Sequence, residues 1–312
     1  MRIAAALASW IVLALTGCFA SSHSPSPSAL GLPASSGAML ASLATPGPIG
    51  FEKIVAADWA VDRSGMINLD HPKAQAAGIV DGSEPIHLYL YVLRHPEFGT
   101  YLVDSGVEAG FRSPESSEHV GVLVRSAMKT EALEPRVTTG EWLARSGGPV
   151  DGVFLTHIHL DHIMGLPDLP ADTPVWLGPG ETTAEAFLNL FSRSTTDALL
   201  GASPALHSWR FEQDPDGRFE GVVDVFGDGS LWALHVPGHS PGSTAFVVRT
   251  PQGPQLLVGD ASHTKWGWEN GVEPGSFSLD RPRSAKNLAR LRELAEDVPQ
   301  MKVHLGHQSL DD

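Results

Sequence analysis

Apolar residues recur along this chain in short runs broken by Gly, Pro and Asp, with lengths that suit strands better than long helices. The strongest run is Ile86 to Leu93, followed by Thr100 to Val103; both are rich in β-branched and aromatic residues. The turn-forming stretch His95-Pro96-Glu97-Phe98-Gly99 between them predicts a hairpin. Runs at 152–156, 175–177, 231–236, 244–248 and 255–258 predict further strands, each ending in a turn or a polar cluster. Helical period is clearest from Pro282 to Glu296, where Leu288, Leu291, Leu294 and Ala295 share a face and Asp280 is placed to cap. The segments 116–129 and 181–191 are weaker helix candidates. Strands and helices are interspersed throughout, which predicts an α/β fold class with no internal repeat.

The N-terminal region has another character. Residues 20–50 are dominated by Ser, Pro, Ala and Gly, a composition with little apolar surface to offset its conformational entropy, and the expectation is a tether over 18–50 with one folded domain over 51–312. Ahead of it, Arg2 precedes an apolar stretch from Ile3 to Leu15 that is too short for a comfortable membrane span. The order of charge, apolar segment and small residues is that of a secretory leader. The run Leu15-Thr16-Gly17-Cys18 resembles a bacterial lipobox. That resemblance implies a signal peptide over 1–17, a lipid on Cys18 and attachment to a membrane of the cell envelope, periplasmic or at the outer membrane.

Charge and cysteine count narrow the chemistry. With 36 acidic and 21 basic residues the formal charge is −15, a field that opposes phosphate backbones, so no nucleic-acid partner is expected and small molecules are favoured. One cysteine excludes a disulfide framework and a thiolate-rich zinc site, which leaves His and Asp as metal ligands.

Those residues cluster. Thr156-His157-Ile158-His159-Leu160-Asp161-His162 places three imidazoles and a carboxylate directly after the apolar run Val153-Phe154-Leu155. On an extended strand end, His157 and His159 point the same way, and a turn into helix would let Asp161 and His162 face a second position nearby. Three further residues, His239, Asp260 and His307, each follow an apolar run that would deliver them to one edge of a sheet. A single histidine of this kind is more commonly a core or surface residue. Seven donors in this arrangement point to two divalent ions, with zinc suited to His and carboxylate ligands and iron, manganese or cobalt also compatible. Such a pair lowers the pKa of a shared water, so a metal-bridging hydroxide is the expected nucleophile, with Asp161 or Asp260 orienting it and accepting its proton.

The H-x-H-x-D-H segment, the Gly238-His239 turn, Asp260 after an apolar strand and Gly306-His307 near the end resemble the metallo-β-lactamase superfamily. The resemblance covers essentially residue 51 to the C-terminus and implies an αββα sandwich. It implies His157, His159 and His239 on one metal, Asp161, His162 and His307 on the other, and Asp260 bridging. Asp104, in Leu102-Val103-Asp104-Ser105-Gly106, matches an aspartate that supports the site without ligating.

Within the superfamily, Asp260-Ala261-Ser262-His263-Thr264-Lys265 resembles the corresponding segment of N-acyl-homoserine lactone lactonases. This implies a quorum-quenching type of hydrolase acting on a lactone or ester. Those lactonases carry a tyrosine three residues after the bridging Asp, contacting the lactone carbonyl, and His263 stands there instead. The expectation for His263 is a catalytic hydrogen-bond donor to the developing oxyanion. Trp266 and Trp268 are candidates for an apolar wall beside an acyl chain. A secreted phosphotriesterase of the methyl-parathion-hydrolase type is the alternative enzyme, and a non-catalytic metal-binding surface lipoprotein the alternative of another class.

Overall fold

The computed structural model describes residues 19–113, 118–146, 148–186 and 189–311. The expected leader and Cys18 lie outside the described residues. In chain order the strands are β1 (Ser26–Pro27), β2 (Leu32–Ala34), β3 (Gly50–Asp62), β4 (Ser83–His95), β5 (Gly99–Val103), β6 (Glu134–Pro135) and β7 (Gly152–Phe154). They continue as β8 (Val175–Leu177), β9 (Leu206–Ser208), β10 (Gly221–Asp224), β11 (Leu231–His235), β12 (Thr244–Thr250), β13 (Gly253–Leu257) and β14 (Lys302–His304). One sheet runs β1-β9-β8-β7-β5-β4-β3-β6 and the other β14-β13-β12-β11-β10-β2.

Period-two alternation explains how the two sheets stack. Along β4, Leu88, Leu90 and Val92 face helices outside the sheet, while Tyr89, Tyr91 and Leu93 enter a core shared with Phe246, Val248 and Leu257 of the second sheet. On β12, Ala245 and Val247 turn outward onto Leu288, Leu291 and Leu294 of the helix Arg281–Asp297. Both sheets are thus covered on both faces, which is why their strands read as unbroken apolar runs. The layers are helix, sheet, sheet, helix, the expected αββα sandwich. The hairpin is present, with Arg94 opposite Thr100 and His95 opposite Gly99. The long helix is capped as expected by Asp280, whose side chain accepts the Arg283 amide at 3.0 Å.

Three expectations need correction. Residues 20–50 do not hang off the domain as a tether: β1 pairs with β9, β2 pairs with β10, and the helix Ser36–Ser42 lies between β2 and β3. Met39 and Leu43 are buried against the second sheet and Ile49 between the sheets. Backbone pairing and these few anchors offset an entropy cost that composition made look prohibitive. The candidate helix at 181–191 is displaced, running Asn189–Leu200, and that at 116–129 narrows to Val122–Met128. Trp268 packs into the second-sheet core as a buried anchor, while Trp266 is only partly buried against the first.

Candidate metal centre

All seven predicted donors converge at one edge of the sandwich. His157 follows β7, and the chain then turns into the short helix Leu160–Ile163, which carries Asp161 and His162. His239, Asp260 and His307 follow β11, β13 and β14, which run parallel to one another because β12 is antiparallel to its two neighbours. Two glycines make the approach possible. Gly259 sits at φ +51, where a side chain is strained, and a Cβ on Gly306 would collide with Asp260 Oδ1.

The donors fall into two adjacent groups. His157, His159 and His239 form one, and Asp161, His162, Asp260 and His307 another, each with ligand atoms within 4.8 Å of one another. His239 Nε2 lies 3.1 Å from His157 Nε2 and 2.8 Å from His159 Nδ1. Asp260 Oδ2 is 3.6 Å from His157, 3.4 Å from His162 and 3.4 Å from His239, and its Oδ1 is 3.3 Å from His307. Asp260 therefore stands between the two groups. Asp161 Oδ2 lies 3.3 Å from His307 Nε2.

Outer contacts set which nitrogen faces inward. His162 Nδ1 meets Asp104 Oδ2 at 2.8 Å, and His307 Nδ1 donates to the His87 carbonyl at 3.0 Å. Asp104 holds its carboxylate in place from a left-handed backbone, φ 54, accepting the Thr156 amide at 2.8 Å. Its expected supporting position is thus the observed one. His162 Nε2, Asp260 Oδ1 and His263 Nε2 are buried without a hydrogen-bond partner. Orphaned donors and acceptors aimed at one point are costly unless something fills it, and their types suit divalent cations.

Electrostatics divide the five rings. Burial first, and then neighbouring rings, hold His157 and His239 well below the usual imidazole range, and burial lowers His159. These three rings are neutral, as ligands must be. Burial works against protonation of His162 and His307 too, but Asp104 lifts His162 well above its ordinary value and Asp260 takes His307 up to about 10. Although burial opposes it, Asp260 is held well below the carboxylate range by His263, His307 and His162.

One buried residue of the site carried no signal in the motif. Glu181, fully buried, accepts the Ile158 amide at 2.8 Å and the Gly242 amide at 2.7 Å, and takes a hydrogen bond from Ser240 Oγ. It joins the His157–His159 loop to the His239 loop.

This fold and donor set define a class. The profile of the Metallo-beta-lactamase superfamily matches residues 86–307, and the chain belongs to that superfamily. Among curated relatives it is 30% identical over 158 residues to the N-acyl homoserine lactonase AttM of Agrobacterium fabrum, covering 46% of this chain and 53% of that protein. It is 27% identical over 252 residues to an N-acyl homoserine lactonase of Bacillus sp, covering 78% and 90%. The chain thus matches about half the length of AttM. Its fold is similar to the crystal structure of a quorum-quenching N-acyl homoserine lactone lactonase, with a TM-score of 0.60 at 20% identity over 84% of this chain and 93% of that one.

Proposed function

We propose that the chain is a metal-dependent hydrolase that opens lactones, the N-acyl homoserine lactones named for its relatives being the first class to test. The observation that carries this reading is that Asp260 lies within 3.6 Å of His157, His162, His239 and His307, members of both donor groups. His157, His159 and His239 would hold one ion, Asp161, His162 and His307 the other, and Asp260 would serve both. Zinc matches the donor chemistry best. When bound, two such ions supply an activated water at neutral pH and polarise the substrate carbonyl.

The chain's residues do the rest. Asp161 is the more open of the two site acids, its side chain 19% exposed against 4% for Asp260. It is placed to orient the attacking water, take its proton and return it to the ring oxygen as the ester C–O bond breaks, giving a hydroxy acid. Asp260, clamped among rings, keeps the two donor groups in register.

Lactone opening liberates acid, so turnover of the zinc-loaded protein can be followed with a pH indicator against an aryl phosphotriester as the competing substrate. Lactone turnover that is lost on chelation and restored by zinc supports the reading. Phosphotriester cleavage without lactone opening refutes it.

We further propose an envelope location, with Cys18 as the lipid acceptor. The support is the leader-like order of residues 1–18. Release of a Cys18→Ser protein from the membrane fraction is the expected result, and continued retention contradicts it.

A further inference from the structure

Beyond the seven donors of the proposed centre, another ring faces the same space. His263 is 1% exposed, and its Nδ1 lies 3.1 Å from the carbonyl oxygen of Met66. A carbonyl can only accept, so Nδ1 carries the hydrogen of that bond and Nε2 is the atom turned to the cluster. Met66 closes the short helix Arg63–Met66, between β3 and β4, so an element outside the ligand loops orients this ring.

What Nε2 meets decides its role. It stands 2.9 Å from Asp260 Oδ2, yet the two are not aligned as a hydrogen bond, and Nε2 is buried with no hydrogen-bond partner among the described residues. The donor role expected from sequence needs a hydrogen on this atom, and off the line to Asp260 Oδ2 that hydrogen would gain little from the carboxylate beside it. A lone pair has a ready use, because His239, Asp260 and His263 place ligand atoms within 4.8 Å of one another. Two donors at about 2.0–2.1 Å from one zinc ion stand roughly 2.9–3.4 Å apart at bond angles between square and tetrahedral. The separations found are 2.9 Å from His263 to Asp260 and 3.4 Å from His239 to Asp260.

We propose that His263 is a metal-ligating residue, adding Nε2 to the ion that His239 and Asp260 would hold, rather than an oxyanion donor. This rests on the metal reading above. An added neutral imidazole holds that ion more tightly, weakens its pull on a carbonyl and takes a position that substrate would otherwise use. Substrate is then steered toward the side of the centre carrying Asp161, the more open of the two site acids. The His at this position thereby separates the chain from lactonases with tyrosine there in coordination as well as in side-chain shape.

The test reads the nitrogen directly. The 15N-labelled full chain is loaded with two equivalents of 113Cd, and a cadmium–nitrogen scalar coupling is expected at His263 Nε2, assigned by its disappearance in either His263→Ala or His263→Tyr. In zinc-loaded protein, His263→Ala should lower the chelator concentration that removes one ion by at least about tenfold, with near-UV circular dichroism unchanged and added imidazole restoring retention. Couplings to His157, His159 and His239 with none to His263 overturn this inference and leave the metal centre standing. Failure to take up cadmium overturns both.

Discussion

Glu181 Oε2 accepts the backbone amide of Ile158 at 2.8 Å, and its other oxygen accepts the amide of Gly242 at 2.7 Å. Ile158 separates His157 from His159, and Gly242 lies three residues beyond His239, so one buried carboxylate sets the spacing of three imidazoles.

Removing that carboxylate leaves the Ile158 and Gly242 amides without an acceptor, each costing about 1–3 kcal/mol, while the Ser240 hydroxyl keeps Ser243 Oγ at 2.8 Å. Glu181→Ala should therefore unfold at lower urea and lose its metal at lower chelator concentration. Glu181→Gln keeps one acceptor oxygen and should fall between the two. An unchanged chelation profile in Glu181→Ala would remove the positioning role.

Asp260 touches both donor groups, so Asp260→Ala should abolish turnover and reduce bound metal together. Elemental analysis is the check, and two ions per chain in this variant would show that the carboxylate does not join the groups.

His307, lifted to about 10 by Asp260 against the opposing effect of burial, carries a proton at neutral pH in the metal-free site. A metal must expel it, so affinity should strengthen as pH rises toward 10 and weaken in acid, by up to about tenfold per pH unit for this proton. Calorimetry in buffers of different ionisation enthalpy should show proton release on zinc uptake. Buffer-independent heats would contradict it.

His304 lies far enough into the sheet for burial, aided by Lys53 and Lys302, to hold it down to about 3, and its Nε2 bonds Gln255 Oε1 at 2.9 Å. The folded ring stays neutral while an unfolded one takes a proton near pH 6.5. Unfolding thus binds a proton between pH 6.5 and about 3, and stability contributed by the neutral ring is lost as pH falls through that window. In chelator-treated protein, His304→Phe should show a smaller drop in urea midpoint from pH 7 to pH 5 than the parent. Equal drops would discount His304.

Much of the centre was legible because its chemistry is local or periodic. His157 to His162 announce themselves in six residues, and His239, Asp260 and His307 each sit just past an apolar run that proved to be a strand. Glu181 was not legible: it follows Gly178-Pro179-Gly180 in a turn and acts through backbone amides, which leave no spacing in sequence. The ring orientation of His263 was not legible either, because the Met66 carbonyl that meets its Nδ1 is a backbone atom 197 positions away. The N-terminal stretch misled through composition, though Met39, Leu40 and Leu43 already carried a short helical stripe beneath the Ser and Ala.

That stretch has a mechanical consequence. Between Ser26 and Ala34 the backbone joins the edge of one sheet at β1 and then the edge of the other at β2. If the protein hangs from its amino end, a stretching load reaches both edges in succession, through strands of two and three residues, before it reaches the long β3–β4 pair. Optical-tweezer traces drawn from that end would record early, small ruptures while the loops around Asp260 keep their shape.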